Sequence, residues 1–322
     1  MMKRLVFMGT PAFALTILEA LWERQEAGWQ VVGVLTRADK PAGRGQQAAA
    51  SPVKAFALAH DLPVQQPRTL RQPDPLTALA ALQPDVIAVA AYGLILPQAV
   101  LDLPRDGCLN VHASLLPRHR GAAPVAGALL AGDVETGTTI MLMDAGMDTG
   151  PILSQAKLPI APGETRGALM DRLAEQGAAL LCATLPAWLA GAITPQAQDH
   201  SLATMTKPLT KAQGVIDWHL PAAQIARQVQ AFQPWPGAFT SWQGRLLKIN
   251  AAAPMPAPDL GAEPGQVMAD ASGVWVGCGG GALRLLEVQL EGKRSLDALT
   301  FTRGQRDFVG SLVGASLPLP PD

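Results

Sequence analysis

LVFMGTP (5–11), running into Ala12–Glu23 and followed by VVGVLT (31–36), is the stretch on which the fold turns. The continuous apolar run over 5–8 reads as a buried strand, Gly9-Thr10-Pro11 as a turn, and Ala12–Glu23 as a helix. Residues 31–36 make a second strand. This β-turn-α-β order opens a doubly wound, mostly parallel α/β sheet of Rossmann-like type. The turn also excludes a ligand class. G-x-G-x-x-G is absent, Pro11 removes a backbone donor that a pyrophosphate would need, and Phe13 is bulky at the point of close approach. An NAD-dependent oxidoreductase is therefore disfavoured.

The alternation continues outward. Ser51-Pro52 opens a helix over 53–60, with Ser51 as N-cap and Pro52 in the first helical position. A short strand begins at Val64, a helix covers 76–82, and DVIAVAA (85–91) is a central strand. Residues 107–112 form a strand, Pro124–Ala131 a helix and 138–143 another strand. Leu169, Leu173, Leu180, Leu181 and Leu185 mark a helix over Arg166–Leu189, whose end Pro186 is expected to disturb. Residues 191–206 carry little regular pattern and read as a linker. After a helix over Ala222–Phe232, short strands at 240–242, 246–251, 265–268, 274–277 and 283–289 are closely punctuated by Gly and Pro. That pattern suits a small antiparallel barrel. A chain of 322 residues favours two domains, here 1–190 and 209–322, joined by 191–208.

Hydrophobic residues make up 48% and aromatics 5%, so the core is mostly aliphatic. Cys108, Cys182 and Cys278 lie far apart and form no CxxC pair. They suggest neither zinc nor disulfides, and a reducing cytoplasmic setting is the simplest home. The apolar run near the N-terminus is short and enters the turn at Gly9, reading as a strand rather than a targeting segment. No apolar run is long enough to span a bilayer. A net charge of −1 gives no global sign of nucleic-acid binding. Locally, Arg37, Lys40, Arg44 and Lys54 outnumber Asp39, and Arg118 and Arg120 flank His119. From charge alone, a solvated loop is the favoured reading of both. PAGRG (41–45) lacks the Lys-Ser/Thr pair of a nucleotide loop and better suits one guanidinium reaching a large polyanion.

The chemistry gathers around CLNVHASLLPRHRGAAP (108–124) and MDAGMDTG (143–150). Asn110 and His112 are two apart on a strand and so share a face. An Asn amide can donate to a carbonyl oxygen that becomes an oxyanion, and such a donor is worth about 2.7–4 kcal/mol of barrier. Asp148 follows another strand, taken as parallel, whose carboxyl end would lie beside that of the first. A carboxylate there favours a protonated imidazole and can accept a proton from an attacking amine. Spacing alone leaves the structural reading open, because an isolated His or Asn more often serves packing or a turn. Ser114 as a nucleophile lacks a G-x-S-x-G elbow, and the five histidines form no metal pattern.

With these pieces FMGTPAFA (7–14), ADKPAGRG (38–45), SPVKAFA (51–57), AYGLILP (91–97), GCLNVHASLLPRHRGAAP (107–124), GTTIMLMDAGMDTGPIL (137–153) and FQPWPGAF (232–239), the chain resembles the methionyl-tRNA formyltransferase family along nearly its whole length. The resemblance implies transfer of formyl from 10-formyltetrahydrofolate, without a metal, to the α-amino group of methionine on initiator tRNA. It implies catalytic Asn110, His112 and Asp148, and folate contacts from Ser114, Leu115, Leu116, Pro117, Ala91, Tyr92, Gly93 and Leu94. Lys40 and Arg44 would approach the tRNA. A formyltransferase domain would be followed by an OB-like barrel assisting tRNA binding, in a cytoplasmic monomer. Two departures stand out. Gln46-Gln47-Ala48-Ala49-Ala50 replaces further basic residues after the loop Arg. Residues 209–322 balance nine cations (Lys211, Arg227, Arg245, Lys248, Arg284, Lys293, Arg294, Arg303, Arg306) against nine acids (Asp217, Asp259, Glu263, Asp270, Glu287, Glu291, Asp297, Asp307, Asp322). A shallower salt dependence of tRNA binding follows than a basic domain would give. Formyltransferases acting on nucleotide-linked amino sugars or on glycinamide ribonucleotide, a formyltetrahydrofolate hydrolase, and an RNA-binding module on an inactive fold are the alternatives. PAGRG and RHRGAAP favour the tRNA enzyme.

Overall fold

The computed structural model describes residues 2–42, 47–255, 262–270 and 273–314. The chain divides into two compact units. The first comprises Met1–Pro124, Glu135–Pro159 and Met170–Thr206; the second comprises Val125–Val134, Ile160–Leu169 and Lys207–Asp322.

In chain order the elements up to residue 206 are β1 (Lys3–Gly9), α1 (Ala12–Glu23), β2 (Trp29–Leu35), β3 (Lys40–Ala42), β4 (Gln47–Ala49), α2 (Pro52–Ala59), β5 (Val64–Gln65), α3 (Pro73–Ala80), β6 (Val86–Ala90), α4 (Gln98–Leu101), β7 (Cys108–His112), β8 (Arg120–Gly121), α5 (Pro124–Ala131), β9 (Glu135–Leu142), β10 (Ile152–Pro159), α6 (Arg166–Leu189) and β11 (Met205–Thr206). The main sheet has the order β10-β9-β7-β6-β1-β2-β5. It is parallel from β7 to β5, with β9 and β10 antiparallel at one side. β1 and β6 are buried over most or all of their length, which is why they read as unbroken apolar runs. The chain leaves β1 toward β2 and β5, then returns to place β6 on its other side. The carboxyl ends of β1 and β6, with Gly9 paired to Ala90, thus form the crevice where such sheets take ligands. A Cβ on Gly9 would stand 2.9 Å from the Ala90 carbonyl oxygen and 2.6 Å from the Ala14 Cβ.

Local chemistry accounts for the helices. α1 buries Phe13, Ile17 and Leu21 along one stripe. The Ser51 hydroxyl accepts from the Lys54 N–H at 3.1 Å, with Pro52 behind it, a cap worth about 1 kcal/mol. α6 runs through Pro186 to Leu189. The proline lies in the last turn, where its missing N–H and ring leave the preceding turns of the helix undisturbed.

The structure also differs from expectation. α3 starts at Pro73, earlier than the apolar pattern suggested, because Pro is well placed in a first turn. β10 was not expected; its half-exposed residues follow only a weak alternation. β9 runs antiparallel to β7, with Asn110 opposite Met141 and His112 opposite Thr139. The carboxyl ends of these two strands therefore do not lie together as the sequence reading supposed. Residues 191–206 pack back on the first unit: Gln196 bridges to Ile152, and β11 pairs with β8.

The second unit carries α7 (Ala222–Phe232), β12 (Ala238–Trp242), β13 (Arg245–Met255), β14 (Val267–Asp270), β15 (Gly273–Gly277), β16 (Ala282–Leu290), β17 (Leu296–Asp297) and α8 (Ala298–Gly304). An antiparallel sheet in the order β12-β13-β16-β15-β14, with β17 on β16, matches the strand-rich domain expected. Register shifts at Ile249/Ala251 and Ala251/Ala252 bend the long β13. Its core includes the Ile225, Ala226 and Val229 stripe of α7 and the edge-to-face rings of Trp242, Phe301 and Phe308, 5.0–5.9 Å apart.

Candidate active site

β7 has the burial pattern buried, buried, intermediate, buried, buried. Val111 faces α6, where a Cβ on Gly177 would lie 2.8 Å from its Cγ1. Alternation then puts Asn110 and His112 together on the opposite face. Asn110 is half-buried, whereas His112 is 6% exposed.

His112 Nε2 lies 3.0 Å from the His119 carbonyl oxygen. A carbonyl only accepts, so the Nε2 carries the proton in this arrangement. His112 Nδ1 faces Asp148 Oδ2 at 3.7 Å, an ion-pair distance and too long for a hydrogen bond. Asp148 Oδ2 accepts from the Gly121 N–H at 2.7 Å. The structure thus brings Asn110, His112 and Asp148 together, although β9 does not deliver Asp148 by parallel alignment. The loop after β9 folds back instead. Asp144 Oδ1 accepts from the Gly146 N–H at 3.0 Å and from Thr149 Oγ1 at 2.6 Å, and Asp148 itself is left-handed, with φ 53°. A Cβ on Gly150 would collide with the Leu142 carbonyl, so only glycine fits that return. Of the two aspartates in MDAGMDTG, the first builds the loop and the second is presented by it.

Arg118 is exposed, as in a solvated loop, but His119, Arg120 and Gly121 prove structural to the site. Arg120 is 4% exposed. Its Nε and Nη2 donate to Gln198 Oε1 at 3.1 and 2.6 Å. The Gln198 amide in turn donates to the carbonyls of Asp148 and Gly150 at 2.9 and 2.7 Å. The His119 N–H donates to Thr204 Oγ1 at 2.8 Å. A Cβ on Gly121 would strike the Thr206 carbonyl. Gln198, Thr204 and Thr206 belong to the stretch read as a linker, and sequence reasoning missed them. Polar residues in an aperiodic segment carry no signal of their own; only RHRG pointed to the place.

The folate set divides. Ser114 is fully buried, and its hydroxyl donates to the Arg118 carbonyl at 2.6 Å. The Leu116 N–H donates to Thr139 Oγ1 at 3.1 Å, and Gln155 donates to the Leu116 carbonyl at 2.9 Å. Ser114 and Leu116 are thus anchored to β9 and β10, while Leu115 and Pro117 are half-buried. Ala91 and Gly93 are exposed and left-handed at the end of β6, with φ 44° and 81°. Thr10 Oγ1 donates to the Tyr92 carbonyl at 3.1 Å and Arg37 Nη1 to the Gly93 carbonyl at 2.7 Å. Tyr92 is 2% exposed, its hydroxyl finds no partner among the described residues, and burial pushes the phenol up to about 12. Leu94 is half-buried beside it.

Of the cations between 37 and 54, Arg37 is held by Gly93 and Lys54 pairs with Asp39 at 2.6 Å. The Lys54 ammonium holds the Asp39 carboxyl below the usual range. The backbone of Lys40 lies in β3, but its side chain and all of Arg44 lie outside the described residues. Among the described residues no group of three or more His, Cys, Asp or Glu could hold a metal ion. No helix among them is long and apolar enough to cross a membrane.

Two family models match the chain: formyl transferase over residues 2–185 and formyl transferase, C-terminal domain, over 208–306. The methionyl-tRNA formyltransferase of Thiobacillus denitrificans is 50% identical over 313 residues, covering 97% of this chain and 100% of the relative. That of Roseiflexus sp. is 50% identical over 311 residues, covering 97% and 95%. Among solved structures, an N-formyltransferase of Helicobacter canadensis in complex with folinic acid and dTDP-3-aminofucose has a TM-score of 0.64 at 16% identity, covering 88% of this chain and 99% of that one. Phosphoribosylglycinamide formyltransferase of Bacillus halodurans has a TM-score of 0.51 at 26% identity, covering 59% and 97%.

Proposed function

We infer the reaction from one premise: the chain belongs to the methionyl-tRNA formyltransferase family. It transfers the formyl group of 10-formyltetrahydrofolate to the α-amino group of methionine on initiator tRNA. The residues that carry the transfer are, in our reading, Asn110, His112 and Asp148. The observation behind it is the pairing of a half-exposed amide with a buried imidazole on one strand face, the imidazole 3.7 Å from a carboxylate.

The amine nitrogen attacks the formyl carbon directly, and the carbonyl oxygen takes up negative charge. The Asn110 amide donates to that oxygen. His112 joins by exchanging the neutral His119 carbonyl for the charged oxygen, which is the stronger acceptor. Asp148 takes the proton of the attacking amine as the new N–C bond forms. When the old N–C bond breaks, the proton passes to the departing folate nitrogen, so charge and atoms balance.

Ala91, Tyr92, Gly93 and Leu94, at the carboxyl end of β6 next to the Asn110 strand, suit a flat heterocycle that hydrogen-bonds to backbone. Ser114, Leu115, Leu116 and Pro117 shape the wall beside it. Lys40 and Arg44 meet the acceptor end of the tRNA, and the OB-like domain over 209–322 assists, joined by 191–208 to the catalytic domain over 1–190. The protein acts as a cytoplasmic monomer; its three cysteines are free and buried, as suits a reducing compartment.

The test is incubation with 10-formyltetrahydrofolate and initiator methionyl-tRNA, for the wild type and for Asp148→Asn. Formylated tRNA from the wild type and a collapse of kcat in the variant are expected. Wild-type turnover by Asp148→Asn would overturn the assignment.

A further inference from the structure

Gln198 Oε1 receives two donors from the Arg120 guanidinium, at 3.1 and 2.6 Å. Because a guanidinium has no acceptor, this pairing fixes which way the amide points. The two hydrogens on Nε2 then meet two carbonyls, those of Asp148 at 2.9 Å and Gly150 at 2.7 Å. The next residue after Arg120 completes a ring, since the Gly121 N–H holds the Asp148 carboxylate at 2.7 Å. Asp148 is thereby gripped at both ends by neighbours in the chain: its carboxylate by the backbone of Gly121, its carbonyl by the side chain of Arg120 acting through Gln198. The grip falls on a residue at φ 53°, a conformation that an Asp visits but does not prefer.

We propose that Arg120 and Gln198 are positioning residues for the formyl transfer, fixing the Asp148 loop so that its carboxylate faces His112. The proposal rests on the reading of Asp148 as proton acceptor. Burial keeps Arg120 from touching the tRNA directly. At 4% and 6% exposure, Arg120 and Gln198 are closed off from a ligand as large as tRNA. The remaining guanidinium nitrogen, Nη1, is spent on His200 Nδ1 at 3.1 Å.

Gln198→Glu is the diagnostic variant. It keeps the volume and strengthens the Arg120 contact by charge, but turns an oxygen toward two carbonyls that need a donor. In the formyl-transfer assay kcat should fall about 100-fold, the size of effect expected when a reacting group is misplaced by about 1 Å, with KM for folate and tRNA unchanged. Arg120→Lys, which keeps the charge but loses the fork, should lower kcat about 10-fold. If Gln198→Glu melts far below the wild type, Arg120→Lys carries the test on the same split of kcat from KM. Wild-type kcat in the folded variants, or a change confined to KM, overturns the positioning role. Asp148→Asn, run in parallel, separates the two failures. If it alone loses turnover, Asp148 keeps its role and only the proposal falls; if it too turns over normally, the functional reading falls.

Discussion

Among the described residues, the first unit buries ten polar or charged side chains, including His112, His119, Arg120 and Gln198, whereas the second buries two, Thr240 and Ser241. In the second unit Thr240 satisfies the indole N–H of Trp218 at 3.0 Å within a core of Val, Leu, Ile and aromatic rings. In the first, the side chains of Ser114, Arg120 and Gln198 tie together the segments around Asp148, where the two-residue pairing of β8 with β11 gives little ladder support. Apolar burial is strong but non-directional, and it suffices where strand pairing already sets the geometry. Hydrogen bonds are modest in net worth but costly to leave unmade once buried, so they can select one loop conformation over its neighbours. The first unit uses that property.

Substitutions in the two interiors should therefore fail differently. Phe308→Ala removes a fully buried ring that meets Trp242 and Phe301. It should lower stability by about 3–5 kcal/mol, read as an earlier denaturant midpoint; an unchanged midpoint would break the contrast. Asn110→Ala should leave that midpoint in place and reduce kcat about 100- to 1,000-fold, without comparable loss of folate affinity. Unaffected single-turnover chemistry with weakened folate binding would instead make Asn110 a binding residue. Ser51→Ala removes the α2 cap and the 2.8 Å contact with buried Thr36; it should lower stability by about 1–2 kcal/mol and spare turnover. Arg44→Ala should raise KM for tRNA and reduce the salt slope of binding by about one, with folate affinity unchanged.

The smallest effect at neutral pH concerns the thiols, buried in both units. Burial raises Cys108 from 9.0 to about 12 and Cys278 from 9.0 to about 11. Since the folded state holds these protons more tightly, their stabilising contribution is intact below the unfolded thiol value near 9.0. It is lost as pH rises from there through about 11 and then about 12. At pH 8 an alkylating reagent should label the unfolded chain and leave the native one untouched. Rapid native labelling would contradict the burial.

Much of the architecture could be read directly. Ala12–Glu23, Pro124–Ala131, Arg166–Leu189 and Ala222–Phe232 stand with the bounds their apolar spacing suggested. β10 escaped because an edge strand exposed on one face shows weak patterning. The direction of β9 escaped because side-chain alternation is the same in parallel and antiparallel pairs. Arg120 misled because charge alone does not reveal that a guanidinium will be buried against an amide.

The chain's own order of residues settles what has a period: which segments are helices or strands, and that Asn110 and His112 share a face. Tertiary structure alone decided the polarity of β9 and the burial of Arg120. It also decided the closure of Gly121, Gln198 and Thr204 around Asp148 and His119. Those contacts join residues 27, 50 and 85 positions apart. They run through loops with no repeat, so only the packing of the whole unit specifies them.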